Sequence, residues 1–554
     1  MQGAEFSEDA KSQDSHKVVD EKDTEQTHVA PKSDSSEHHL EGLPLAVVMS
    51  GLILSLFLPA LDQLILATAM PVIVSKFNSL QEISWIPNAY FLAMGGFMII
   101  FGQIVNLAPS KYVLLASVFT FELGSLLCGV AFNMNFLLFG RGVAGMGAAG
   151  LYVTIFAIIA QIAPLDKRAK LMGLGGATFG VTSIIGPLVG GALTDNASWR
   201  WCFFINLPIG GFAAAIVVFF LPNYKARPKP PNRQGWRGLL GIDYIGGLLA
   251  LGTTMTFIYP LVEGGNAHPW NSAIIIALFI TSGVLAGLFV AWSAYMGNDS
   301  VLPLRLFKNK SVIGSSMCGF FVSLNLMVSI IYLTTWYQAV KGHSPTRSGV
   351  DVLSLCLGTS VFAVIGGIIV GRTGRYWLTL VLMPLLGAIA AGLEFTINET
   401  TSTARLVGYQ ILWAVSIGPT LQLPTLAAQA EYHDNMVDTR FATAAVSFVS
   451  FVGRMVGLGV GSALFTNRLA KYLPIYAPTA PQEVVQSVTA IWTLSPDIRD
   501  GVIHAYVLSL RYAFILGVPS AGLTTIFALM IRNRKLNKPG ERTSSSPKEE
   551  TGKA

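Results

Sequence analysis

Apolar residues run in long blocks along this chain instead of alternating with polar ones. From residue 43 to about 530, stretches of roughly 20 mostly apolar residues follow one another, each long enough to cross a bilayer core about 30 Å thick as a helix. Counting them predicts fourteen helices, centred near residues 58, 95, 121, 147, 182, 212, 253, 283, 325, 358, 385, 416, 454 and 520. The runs are too long for barrel strands, which leaves helices as the spanning structure that satisfies its own backbone. An even number of crossings puts both termini on one side.

The polar breaks between the runs set the orientation. Basic breaks occur at Lys167, Arg168 and Lys170, from Lys225 to Arg237, at Arg305, Lys308 and Lys310, and at Arg372 and Arg375, whereas EGGNAHPWN and INETTSTA carry no Lys or Arg. The excess of Lys and Arg on alternate sides places both tails in the cytosol. The expected organisation is a disordered cytosolic tail over residues 1–42, a six-helix bundle over 43–222 and a cytoplasmic linker over 223–242. An inserted helix pair follows over 243–296, read as lipid-facing filler. A second six-helix bundle runs over 297–531 with an external loop at 468–510, and 532–554 form a cytosolic tail. No secretory signal peptide opens the chain, so the first run itself directs insertion. One sequon, at Asn398, falls in an external loop and is a candidate glycosylation site.

Composition agrees with an integral membrane protein: 52% of the 554 residues are hydrophobic and only 12% are charged, against about one quarter charged in soluble domains. Cys128, Cys202, Cys318 and Cys356 each fall in an apolar run without CxxC or Cys/His spacing, so neither a disulfide framework nor a metal site is indicated. There is no GxxxxGK[ST] loop, and no clustered catalytic set appears at either membrane face, which argues against ATP as the energy source and against an enzyme. No cofactor and no nucleic-acid partner are expected.

Glycines gather where a helix ought to avoid them. GVTSIIGPLVGGAL places Gly180, Gly186, Pro187, Gly190 and Gly191 in one run, although interior Gly costs about 1 kcal/mol and interior Pro about 3 kcal/mol relative to Ala in water. In lipid, small residues let helix backbones approach, and a carbonyl freed by Pro is tolerated where a neighbour or a cavity satisfies it. A tight helix crossing explains the spacing by itself. The surrounding motifs add to it. GATFGVTSIIGPLVGG resembles the fifth-helix motif of drug:proton antiporters of the major facilitator superfamily. DNASWRWCFFINLPIGG (Asp195 to Gly211) is similar to the following segment of its fourteen-span branch, GRGVAGMGAAGLYV to its fourth-helix motif with a buried Arg141, and LDQLILATAMP to its first-helix motif. FELGSLLCGVA and SWIPNAYFLA look like the toxin and multidrug exporters of this branch in fungi. The resemblance extends from about Leu43 to Met530 and implies an all-α polytopic fold of two six-helix bundles plus two inserted helices.

One motif departs from the pattern. The branch's loop between helices two and three reads roughly GxLxDRxGRR, whereas this chain has GQIVNLAPSK, from Gly102 to Lys111, with Asn106 in place of the acid and only Lys111 basic. GIIVGRTGRY, from Gly367 to Tyr376, matches better through Arg372, Gly374 and Arg375. The two stretches are expected to be related cytoplasmic gating loops.

Ionisable groups inside spans cost about 2.5 to 3.5 kcal/mol on insertion scales and are candidate sites by default. They are Asp62, Glu122, Arg141 and Arg454, with Glu394 near an external end. If the first and fourth helices face each other, as the resemblance implies, Asp62 exchanges a proton and Arg141 sets its affinity; a structural ion pair is the alternative. Glu122 is a second candidate carboxyl, or a packing residue. Asn88, Gln161, Tyr332, Trp336, Gln410 and Arg454 are candidates for a substrate cavity. The resemblance implies a monomeric plasma-membrane exporter, exchanging protons for an amphipathic small molecule such as a secondary-metabolite toxin, glycolipid or drug. A proton-coupled importer of an iron chelate or organic anion, and a non-transporting receptor, remain open as alternatives.

Overall fold

The apolar runs are helices, and each contains the centre expected for it. The computed structural model describes residues 42–77, 85–163, 165–223, 241–265, 268–433, 435–481, 484 and 488–534. Nearly all of the terminal tails and of the expected linker lies outside them. The first half comprises α1 (Gly42–Phe77), α2 (Trp85–Leu107), α3 (Ser110–Gly129), α4 (Met134–Ile162), α5 (Leu165–Asn196), α6 (Trp201–Phe204) and α7 (Asn206–Phe220). The inserted pair is α8 (Tyr244–Glu263) and α9 (Ala273–Met296). The second half comprises α10 (Lys310–Lys341), α11 (Pro345–Asp351), α12 (Leu353–Thr373), α13 (Trp377–Phe395), α14 (Thr403–Thr420), α15 (Leu423–Glu431), α16 (Met436–Tyr476), α17 (Pro496–Phe514) and α18 (Gly517–Leu529). Among the described residues, fourteen stretches are long and apolar enough to cross a membrane; α6 with α7, α14 with α15, and α17 with α18 each form one of them.

Lipid tails are as apolar as the helices, so contact between helices rests on close packing. A Cβ added at Gly124 would lie 2.2 Å from the Ala144 backbone nitrogen, and one at Gly147 would lie 2.3 Å from that of Phe121, so α3 and α4 meet backbone to backbone. In the second half Gly453 and Gly457 of α16 abut the Phe320 and Leu324 carbonyls of α10, and Gly461 abuts the Tyr332 ring. The glycine-rich α5 answers the question its sequence raises. Gly186 packs on Leu64 of α1, while Gly173 and Gly180 pack on Ala363 and Ser360 of α12. One helix is thereby pressed against both halves. A second junction joins α2 to α16, with Gly102 against Ala444 and Gly95 against Met455.

Two local expectations change. The inserted pair is more than filler: α9 is largely exposed, but α8 packs on α2 and α16, with Leu251 against Gly96 and Leu261 against Gly459. The segment expected as an external loop, 468–510, is mostly helical, because α16 continues to Tyr476 and α17 begins at Pro496. Leu469 and Leu473, and likewise Tyr506 and Leu510, are spaced one helical turn apart and buried. Apolar faces this narrow escape a 20-residue hydropathy window but still pack.

Candidate functional site

Asp62 and Arg141 bring α1 and α4 together. Arg141 Nη1 donates to Asp62 Oδ2 at 2.5 Å, and the two residues are 0% and 1% exposed. The guanidinium also donates from Nε to the Ile86 carbonyl at 3.2 Å and lies 4.5 Å from the Tyr90 ring centroid. Gly145, one turn along α4 from Arg141, makes room for the Tyr90 carbonyl, so the small residues of the fourth-helix motif allow α2 this close. A guanidinium whose charge is met by a carboxylate, a carbonyl and an aromatic face is compensated inside a low-dielectric bundle. Asp62 Oδ1, by contrast, has no hydrogen-bond partner.

Glu122 lies on α3 within electrostatic reach of Asp62. Its carboxyl is turned into the contact with α7, where it fills the space left by the absent side chain of Gly210, and neither oxygen has a hydrogen-bond partner. Beside it, Asn206 Nδ2 donates to Ser125 Oγ at 3.2 Å. Two carboxyls and one buried cation therefore share the interior of the first half.

The cavity candidates do not converge. A central cavity of about 30 Å³ is lined by Arg454 together with residues of both halves, among them Leu56, Tyr152, Phe179, Leu326, Thr359 and Gln422. That volume holds one or two waters, so a larger guest requires the halves to part. Gln161 instead donates to Ser110 Oγ at 2.8 Å at the foot of α3. Gln410 donates to the Tyr337 hydroxyl and the Asp351 carbonyl and accepts from the Leu355 N–H. Tyr332 packs on Gly461, and Trp336 stacks edge-on with Tyr337. Asn88 is half-buried on α2, outside the cavity lining. Asn398 caps its own turn through the Thr400 and Thr401 hydroxyls.

The two stretches expected to gate use their residues unequally. Lys111 donates to the Val218 and Leu221 carbonyls at 2.7 and 2.9 Å and so closes the C-terminal end of α7. Asn106 bonds back to the Gly102 carbonyl of its own helix. Gly374 ends α12 in the left-handed conformation, φ 68°, which explains a glycine there, and Arg372 and Arg375 are exposed. Gly367 borders a narrow gap with Gly173, Gly418 and Pro419. In α5, Gly190 offers its carbonyl to the Cys202 thiol, while the surroundings of Pro187 and Gly191 lie outside the described residues.

Sequence reasoning missed several ties. Arg440 of α16 donates to the Val105 carbonyl of α2 at 2.7 Å, bridging the halves beside Asn106. Arg305 pairs with Asp438 at 2.6 Å, and Glu431, nearly buried, accepts from both Arg532 and Arg534 at 3.1 Å. Asp243 caps α8 through the Gly246 N–H and also accepts from Trp292 and Val301, and Gln103 of α2 bonds its backbone N–H. Arg440, Asp438, Glu431 and Asp243 lie outside the motifs quoted above, and Gln103, within GQIVNLAPSK, is not one of the positions that pattern singles out.

The chain is similar to known transporters over most of its length. The family model described as Major Facilitator Superfamily matches residues 52–462. The MFS-type efflux pump MFS1 of Arthroderma benhamiae is 36% identical over 493 residues, covering 88% of this chain and 91% of that protein. The MFS-type transporter astH of Aspergillus oryzae is 35% identical over 510 residues, covering 92% and 90%. Among solved structures, a bacterial homologue of the human lysosomal transporter Spinster, inward-facing and unoccupied, superposes with a TM-score of 0.52 at 12% identity, covering 89% of this chain and 98% of that one. At that identity the likeness speaks for the fold.

Proposed function

This chain belongs to the major facilitator superfamily, and from that premise we propose that it exports an amphipathic small molecule in exchange for protons bound at Asp62. The observation that carries the reading is the buried Asp62–Arg141 pair, with one carboxylate oxygen engaged and the other without a partner. Ionised, Asp62 neutralises Arg141. Protonated, it releases the guanidinium, which keeps the Ile86 carbonyl and the Tyr90 face. The α1–α4 contact thus has two electrostatic states that differ by one proton, and α1 also packs on α5, the helix that touches the other half. Glu122 is a second carboxyl in reach.

Export rather than import is the direction supported by relatives named as efflux pumps. The cargo moves as the two halves rock about the central cavity. The basic breaks on alternate sides support a topology with both termini in the cytosol, and the plasma membrane is the membrane of action in this reading.

The test is substrate-dependent proton movement in inside-out vesicles, comparing wild type with Asp62→Asn over a panel of amphipathic compounds. A compound that releases protons from an acidified lumen through the wild type but not the variant supports the reading. Unchanged flux in Asp62→Asn makes the pair structural and moves the question to Glu122. No proton movement with any compound overturns proton-coupled export.

A further inference from the structure

Arg454 sits on α16 directly after Gly453. Gly453, Gly457 and Gly461 recur every fourth residue and fix the face of α16 that lies on α10. One residue further along a helix is a turn of about 100°, so Arg454 is directed off that contact and into the central cavity. Its guanidinium lies 5.4 Å from the Phe451 ring centroid, and its Nε is buried without an acceptor. No carboxylate among the described residues pairs with it. Asp62 is taken by Arg141, and neither Glu122 nor Glu394 forms an ion pair with Arg454.

Arg141 and Arg454 differ in what meets their charge. Both are arginines of the membrane interior, and a guanidinium keeps its charge there. Arg141 is compensated by a carboxylate, a carbonyl and a ring, whereas Arg454 has only a ring. An uncompensated cation at a low-dielectric site is costly unless its counter-charge comes from outside the chain. The site that lacks the counter-charge is the one open to a guest.

Resting on the export reading, we infer that the cargo is an amphipathic organic acid whose oxyanion docks on Arg454. A planar guanidinium takes a carboxylate or sulfonate through paired N–H bonds. The Thr359 hydroxyl, buried without a partner, and the Tyr152 and Gln422 side chains border the same space. Leu56, Phe179 and Leu326 face the apolar body of such a molecule. Moving a monoanion out against an inward proton also shifts charge in the direction favoured by an inside-negative membrane.

The experiment uses matched pairs: indole-3-butyrate with its primary amide, and naphthalene-2-sulfonate with its sulfonamide. Binding to the detergent-purified full chain is read by thermal shift and transport by flux into inside-out vesicles. In wild type each acid is preferred over its neutral partner by about tenfold or more, as expected for a desolvated charge pair. Arg454→Gln brings that ratio to about one while neutral compounds bind as before, and Arg454→Lys restores part of it. The inference falls if no acid stabilises the wild type, if neutral partners do as well as the acids, or if Arg454→Gln keeps the preference. It falls equally if replacing chloride by gluconate, and not adding acid, is what Arg454 responds to, since the site then holds an inorganic ion only. Acid preference in binding without any coupled proton movement would count against the export reading and leave this one standing.

Discussion

Arg440, at the start of α16, donates to the backbone carbonyl of Val105 at the end of α2, joining the halves across 335 residues of sequence. The bond lies beside Asn106, the position where the gating stretch has lost its acid. A charged donor on a backbone acceptor ties the two halves at this end. Such a bond contributes about 1.5 to 3 kcal/mol. Arg440→Met keeps the length of the side chain and removes the donors, so the halves should part more often at this end. Thiol labelling of a cysteine placed at Leu107 is expected to quicken by about tenfold or more in that variant. An unchanged labelling rate would show that the Gly102–Ala444 packing closes this end unaided.

The Asp62–Arg141 pair separates stability from coupling. Removing one member leaves the other uncompensated, and breaking a buried pair costs about 3 to 5 kcal/mol. Asp62→Asn and Arg141→Gln should each lower the Tm of the purified protein markedly. The double variant should recover most of the loss, because no lone charge remains, and yet stay inactive in proton exchange. Recovery of exchange in the double variant would mean that the proton travels elsewhere.

Gly210 and Glu122 fit as a pair. A Cβ at residue 210 would overlap the Glu122 carboxyl, and overpacking of this kind costs about 1 to 3 kcal/mol. Gly210→Ala is expected to destabilise the protein, and Glu122→Ala in the same chain to relieve most of that loss. Glu122→Gln alone should change stability little, since neither oxygen has a bond to lose. A thermal-unfolding cycle of these variants reads the coupling directly.

How much of this was legible beforehand follows from the physics of each feature. Bilayer thickness fixes the length of a crossing, so a hydropathy count finds the fourteen candidate crossings among the described residues. Charges are rare in spans, so Asp62 and Arg141 stand out, and a resemblance in the first and fourth helices brings them together. Gln161 and Gln410 carry no such signal, because a polar side chain in a span is as well explained by a nearby hydroxyl or backbone group, and that is where they are used, Gln161 on the Ser110 hydroxyl and Gln410 on the Asp351 carbonyl. Arg440 and Asp243 were invisible for another reason: their partners include backbone groups of distant segments, and a carbonyl or N–H has no residue type to read. The α16 and α17 ends were missed because short amphipathic faces bury through spacing rather than through mean hydropathy.

Asp243 shows what the inserted helices contribute. Its carboxylate accepts from the Gly246 N–H at 2.7 Å, from Trp292 Nε1 at 2.7 Å and from the Val301 N–H at 3.0 Å, and its own N–H donates to Gln103 of α2. One side chain therefore caps α8, holds α9 and fixes the strand of chain leading to α10, all against the seam where α2 meets α16. Loss of a cap costs about 1 kcal/mol, and each buried donor left unsatisfied costs about 1 to 3 kcal/mol more. Asp243→Ala should thus cost about 3 kcal/mol or more, well beyond a surface change, while Asp243→Asn, which keeps an acceptor oxygen, should lose less. If the pair were passive filler, the alanine variant would unfold at the wild-type temperature and transport at the wild-type rate. The expected outcome is a lower Tm together with faster labelling at Leu107→Cys, because releasing α8 from α2 loosens the same seam that Arg440 holds from the other side.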